Sequence, residues 1–109
     1  MIFPIKNMLT TEKINEDNLK VLHLIDGNPR ISQRGVAQEM DFSLGKANYC
    51  IKALIQIGFI KLKNFSQSNN KTRYLYVLTP KGAKEKKVLT TEFLKRKQLE
   101  YEKLYNYFN

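Results

Sequence analysis

The sequence predicts a mainly α-helical domain with a small β-hairpin and a long C-terminal helix. Three observations carry that expectation. Helical hydrophobic periodicity recurs in three short segments between residues 15 and 56, strand-like alternation appears on both sides of a polar turn between 59 and 78, and nothing stops a helix from Thr79-Pro80 to Phe108. A chain of 109 residues with 42% hydrophobic content supplies one modest core and is too short for two ordinary domains.

The first helix opens at Asn15, a capping side chain followed by Glu16 and Asp17, whose charges oppose the helix dipole. Leu19, Val21, Leu22 and Ile25 form its apolar stripe, and "DGNP" at 26–29 stops it, with Gly27 or Asn28 expected in the left-handed cap conformation. Ser32 caps a second helix with Val36, Ala37 and Met40 on one side, and Ser43 caps a third after only Asp41 and Phe42, which forces a sharp turn. In the third helix Ala47, Cys50, Ile51 and Leu54 fall at i, i+3, i+4 and i+7 and face the core. Gly45, Tyr49, Lys52 and Gln56 lie nearly opposite, flanked by Lys46 and Asn48. Gly58 ends this helix. "FIKLKNF" at 59–65 and "TRYLYVL" at 72–78 then pair across the polar turn "QSNN".

Thr79 with Pro80 at the first helical position starts the last helix, which runs about 28 residues and about 42 Å at 1.5 Å per residue. No small domain covers that length. Its far end carries Leu94, Leu99, Tyr101, Leu104, Tyr105 and Phe108, an apolar set that asks for a partner, most simply the same helix of a second chain. The expected organisation is an N-terminal arm at 1–14, a head at 15–80 and a dimerisation helix at 81–109.

The net charge of +9 is unevenly spread. Residues 42–84 hold 8 basic and no acidic side chains, whereas residues 1–41 hold 5 and 6, and residues 85–109 hold 6 and 4. A field so concentrated favours a polyanionic partner. The order helix, helix, tight turn, helix, hairpin, long helix is that of a winged helix-turn-helix, whose third helix enters the major groove of double-stranded DNA while the hairpin touches the backbone or minor groove. The acid-free outer face then has a reason, since a carboxylate there would be repelled by phosphates.

On that reading Ser43 and Lys46 hold a phosphate at the helix N-terminus, and Gly45 lets the backbone approach. Asn48, Tyr49 and Lys52 reach into the groove, an amide suiting adenine, a lysine guanine, and a tyrosine a phosphate or thymine methyl. Gln33 and Arg34 clamp the backbone, while Lys63, Asn64, Lys71 and Arg73 arm the wing, with Arg73 the minor-groove candidate.

The segments "NPRISQRGVAQEM", "SLGKANYCIKALIQIGFIKLKNF" and "YVLTPKG" resemble the MarR-type winged-helix transcription regulators, in particular the short exopolysaccharide-associated subgroup, over roughly residues 16–105. The resemblance implies a homodimeric DNA-binding regulator whose terminal helix contributes to dimerisation and which controls genes near polysaccharide biosynthesis. Two residues depart from the pattern. Asp41 stands where the turn usually has glycine, and Gly35 lies inside the second helix, where it is expected to cost about 1 kcal/mol relative to alanine. The chain is also shorter than typical members, whose additional helices help frame an effector pocket.

Other functions fit fewer residues. A basic block can be a merely solvated face, and a winged helix can serve as a protein-interaction module or a non-specific nucleic-acid-binding protein. His23 has no ligand-spaced Cys, Asp or Glu beside it and reads as a core-margin residue, Cys50 reads as core, and no metal or other cofactor is implied. With no glycine-rich phosphate loop, no paired carboxylates in an apolar setting and no nucleophile with a placed base, an enzyme is not expected. No apolar run approaches the roughly 20 residues that cross a bilayer, so no membrane partner is expected and the expected location is the cytoplasm. A single cysteine rules out an internal disulfide framework.

Overall fold

The computed structural model describes residues 14–67 and 71–109, and the side chains of all of these except 65–67 and 71–73. The expected arm at 1–13 and the tip of the hairpin at 68–70 lie outside the described residues. Ile14, counted with the arm in the sequence reading, is buried and joins the core.

Helix α1 spans Glu16–Gly27, and the Asn15 side chain accepts the Asn18 N–H at 2.8 Å. It ends differently from expectation. Neither Gly27 nor Asn28 is left-handed; Asn28 sits at φ −147° and ψ 81°, and its N–H closes the helix by bonding the carbonyls of Leu24 and Ile25. Pro29 then needs no donor, and its carbonyl accepts the Tyr76 N–H at 3.0 Å, tying the hairpin to the turn after α1.

Helix α2 spans Gln33–Met40 and helix α3 Leu44–Gln56, capped by Ser32 on the Gly35 N–H and by Ser43 on the Lys46 N–H. Asp41, standing where the turn usually has glycine, takes the left-handed region at φ 55°, a conformation aspartate tolerates better than most residues. Gly35 is better placed than its helix propensity suggests. A Cβ there would stand 2.8 Å from Cγ1 of buried Ile31 and 3.3 Å from the capping Ser32 oxygen, so alanine would gain propensity but press on both.

Strands β1, Ile60–Gln67, and β2, Lys71–Leu78, pair antiparallel from Ile60 opposite Leu78 to Gln67 opposite Lys71. Helix α4, Pro80–Phe108, follows after one residue. Thr79 is the hinge of this junction: its hydroxyl accepts the Gly82 N–H at 2.9 Å and donates towards the carbonyls of Gly58 and Phe59, while its own N–H donates to Phe59.

The core lies where α1, α2, α3 and the start of β1 meet, filled by Val21, Leu22, Ile25, Val36, Ala47, Leu54, Phe59 and Ile60, with Leu89 and Phe93 of α4 packed against it. Each such large side chain contributes about 1.5–3 kcal/mol by leaving water. Three contacts order α1 and α4 antiparallel: Glu16 with Lys97, His23 with Thr90, and Asp26 with Lys86. The last residues of α4 therefore extend past the N-terminus of α1. Among the described residues, no helix is long and apolar enough to cross a membrane.

Candidate nucleic-acid interface

The third helix is aimed by its buried side. Ala47, Cys50, Ile51, Ala53 and Leu54 are buried, so the opposite positions Gly45, Tyr49, Lys52 and Gln56 necessarily face water. Tyr49 is 70% exposed, a large ring that this chain leaves uncovered. Nothing lies within ordinary contact of a Cβ built on Gly45 except the Ser43 oxygen at 4.0 Å, so the backbone there is open to close approach. Asn48 is half-buried at the edge of the same face. Burial pushes the Cys50 thiol up, with the Asp17 carboxylate adding to it, which fits a packing role.

The N-terminus of α3 is less free than its sequence suggests. Ser43 spends its oxygen on the Lys46 N–H at 3.1 Å, as a cap. The Lys46 ammonium pairs with Asp17 Oδ2 at 3.0 Å and sits 4.1 Å from the centroid of the Phe42 ring. The acid that the local sequence lacks thus arrives from α1. Sequence reasoning missed Asp17 because its signal, an acid in a first helical turn, is fully explained by the helix dipole. Lys52 has no carboxylate in ion-pair range among the described residues.

Gln33 begins α2 and, with Arg30, Ile31, Ser32, Tyr74 and Tyr76, lines a cavity of about 290 Å³ between α2 and the hairpin; Arg34 beside it is exposed. The strand register divides the wing residues. Lys61 and Lys63 fall on one face and Asn64 on the other, the face it shares with Tyr74 and the buried Ile60. Positions 71 and 73 fall by register on the Lys63 face, and the side chains of Lys71 and Arg73 lie outside the described ones. Asn64 is therefore separated from the three cationic positions with which it was grouped.

At the far end of α4, Leu94, Leu99, Tyr101, Leu104, Tyr105 and Phe108 are all exposed. Tyr107, absent from the sequence-predicted set, is the most exposed of the large hydrophobics at 82%, and its ring meets Phe108 edge-on at 5.1 Å. It falls off the i, i+4 stripe, which is why periodicity passed over it.

A family model described as winged helix-turn-helix DNA-binding matches residues 16–61, which span α1 to the start of β1. The chain carries a winged helix-turn-helix domain. Solved structures extend the likeness along α4. A MarR of Staphylococcus aureus, in complex with salicylate and kanamycin, superposes with a TM-score of 0.63 at 20% identity, over 89% of this chain and 63% of that protein. A MarR protein from Peptoclostridium difficile gives 0.66 at 16% identity, over 85% and 60%. MepR of S. aureus in a DNA complex gives 0.60 at 17% identity, over 90% and 83%. At such identities the likeness is one of fold, and this chain spans less than two thirds of the first two proteins' length. No curated protein matches the chain by sequence.

Proposed function

We propose that the chain is a sequence-specific, dimeric DNA-binding transcription regulator of the MarR type, acting in the cytoplasm. One observation carries the reading: the winged helix-turn-helix presents a third-helix face of Gly45, Tyr49, Lys52 and Gln56 that is exposed and carries no acid of its own. That MepR, a protein of the same fold, has been crystallised with DNA supports the assignment. Two such heads related by a two-fold axis present their third helices to successive major grooves about 34 Å apart, on a pseudo-palindromic site where the bound dimer blocks or recruits polymerase. Ser43, Lys46, Gln33 and Arg34 meet phosphates, Gly45 admits the backbone, Asn48, Tyr49 and Lys52 read base edges, and Lys63, Asn64, Lys71 and Arg73 serve the wing. The exopolysaccharide-associated resemblance supports target genes in polysaccharide biosynthesis.

The test is selection of bound fragments from the source genome with the purified chain, followed by competition and salt titration. Specific binding survives an excess of unrelated duplex and weakens steeply with salt. Asn48→Ala or Lys52→Ala is expected to weaken the selected site by about 1–3 kcal/mol more than random DNA. Lys71→Ala should weaken both alike and flatten the salt slope by about one unit. Equal losses on both duplexes for every substitution would remove base readout. No duplex binding at low salt would favour a winged-helix protein-interaction module instead.

A further inference from the structure

We propose that Asp17 is an intramolecular competitor for Lys46, a carboxylate that occupies the lysine until a DNA phosphate displaces it and so lowers the affinity of the head for every duplex. This rests on the DNA-binding reading above and assigns a role to a residue outside the basic block.

The observation behind it is a single breach in an otherwise unopposed field. Of the described basic side chains between residues 42 and 84, Lys46 is the one held in an ion pair, and its partner comes from α1 rather than from its own segment. The pair is at the surface, with 50% of the Lys46 side chain and 36% of the Asp17 side chain exposed, so an incoming anion can reach it. Lys46 is the third residue of α3, where the helix dipole and the first-turn N–H groups of Leu44 and Gly45, which the Ser43 cap does not take, also attract anions. A phosphate arriving there meets a lysine already turned onto Asp17 Oδ2 at 3.0 Å and lying 4.1 Å from the Phe42 ring centroid. To take the lysine it must break that pair and come to rest beside a second negative charge.

Phosphate contacts fix position without carrying sequence information. The penalty is therefore the same on a preferred and on a random duplex: affinity falls, and the ratio between sites does not. A head built this way leaves any duplex faster than its basic charge would allow. Asp17 thus acts through Lys46 and is a positioning residue, and its test has to separate competition from simple repulsion and from a structural role in the first turn of α1.

The experiment measures duplex binding by fluorescence anisotropy for the full chain and for Asp17→Asn, Asp17→Glu, Lys46→Gln and the Asp17→Asn/Lys46→Gln pair, on a random duplex and on the genome-selected one. Asp17→Asn is expected to tighten binding about two- to fivefold on both duplexes, the span of a surface ion pair. Asp17→Glu keeps the charge and stays within about twofold of the parent. In the Lys46→Gln background the gain disappears, because the contested lysine is gone. A gain of equal size in both backgrounds would mean repulsion alone and overturn the proposal, as would weaker or unchanged binding by Asp17→Asn, or a gain confined to the selected site. If the parent chain binds neither duplex, the DNA-binding reading falls and this inference with it, an outcome distinct from those failures.

Discussion

Gly82 shows how one missing methyl group positions an entire helix. A Cβ at this position would stand 2.0 Å from the Phe59 carbonyl oxygen and 2.8 Å from its carbon, both backbone atoms that cannot swing aside. The same carbonyl accepts the Thr79 N–H, so α4 and the start of β1 are in direct main-chain contact where the helix leaves the head. Gly82→Ala is expected to cost about 3 kcal/mol, the upper part of the range for overpacking. Gly27→Ala provides the contrast. It is the last residue of α1, has open space around it, and is not among the positive-φ positions, so alanine there should be neutral or stabilise by up to about 1 kcal/mol. Thermal unfolding of the two variants beside the parent distinguishes them, and similar melting of both would show that the close approach at Phe59 is not what sets the helix.

Between elements, the joint of α1 with α4 is polar along its outer edge and titrates. His23 Nε2 and Thr90 Oγ1 are 2.7 Å apart, and Thr90 commits its one hydroxyl proton to the Lys86 carbonyl, so His23 must donate and carries its proton on Nε2. Partial burial lowers the His23 pKa below its usual 6.5, the nearby Lys86 charge lowers it further, and Asp26 opposes both. A histidine depressed in the folded state binds its proton more readily when unfolded. Its contribution is therefore present above about pH 6.5 and is lost as pH falls through the folded pKa. Stability should decline as pH falls below about 6.5 towards the lowered folded-state pKa, and His23→Gln should flatten that part of the curve in melts across the range. Glu16, held below its usual range chiefly by its hydrogen bond to Lys20, acts only at more acid pH and leaves this window clear. The joint also marks what a sequence can reveal. Caps at Asn15, Ser32, Ser43 and Thr79, and the buried stripes of α1 and α3, were legible because they depend on residues three or four apart. Asp17 on Lys46, His23 on Thr90 and the main-chain contact at Gly82 join residues 23 to 67 positions apart, and no local pattern announces them. The close of α1 was misread for a related reason, since the Asn28 backbone N–H satisfied the last carbonyls without a left-handed residue.

At the scale of the molecule, the chain divides into a head whose core is complete and a stem that is not. Leu89 and Phe93 of α4 pack on the core, whereas Leu99, Tyr101, Leu104, Tyr105, Tyr107 and Phe108 are exposed, with the Tyr101 and Tyr105 rings 6.3 Å apart and the Tyr107 and Phe108 rings 5.1 Å apart. So much aromatic surface in one place exceeds what an isolated surface helix carries, and in the proposed dimer a second copy would cover it with the same residues by two-fold symmetry. Leu104→Glu together with Tyr105→Glu puts like charges at the centre of that contact without touching the head. The expected result by sedimentation is a change from about twice 12.8 kDa to 12.8 kDa, with the head still folded by circular dichroism. Binding should then change in a diagnostic way. A dimer engages the second half-site at the high effective concentration set by its stem, and a monomer does not. The variant is therefore expected to bind the full selected site no more tightly than the parent binds a duplex carrying one half-site, and full affinity in a proven monomer would exclude the two-headed arrangement.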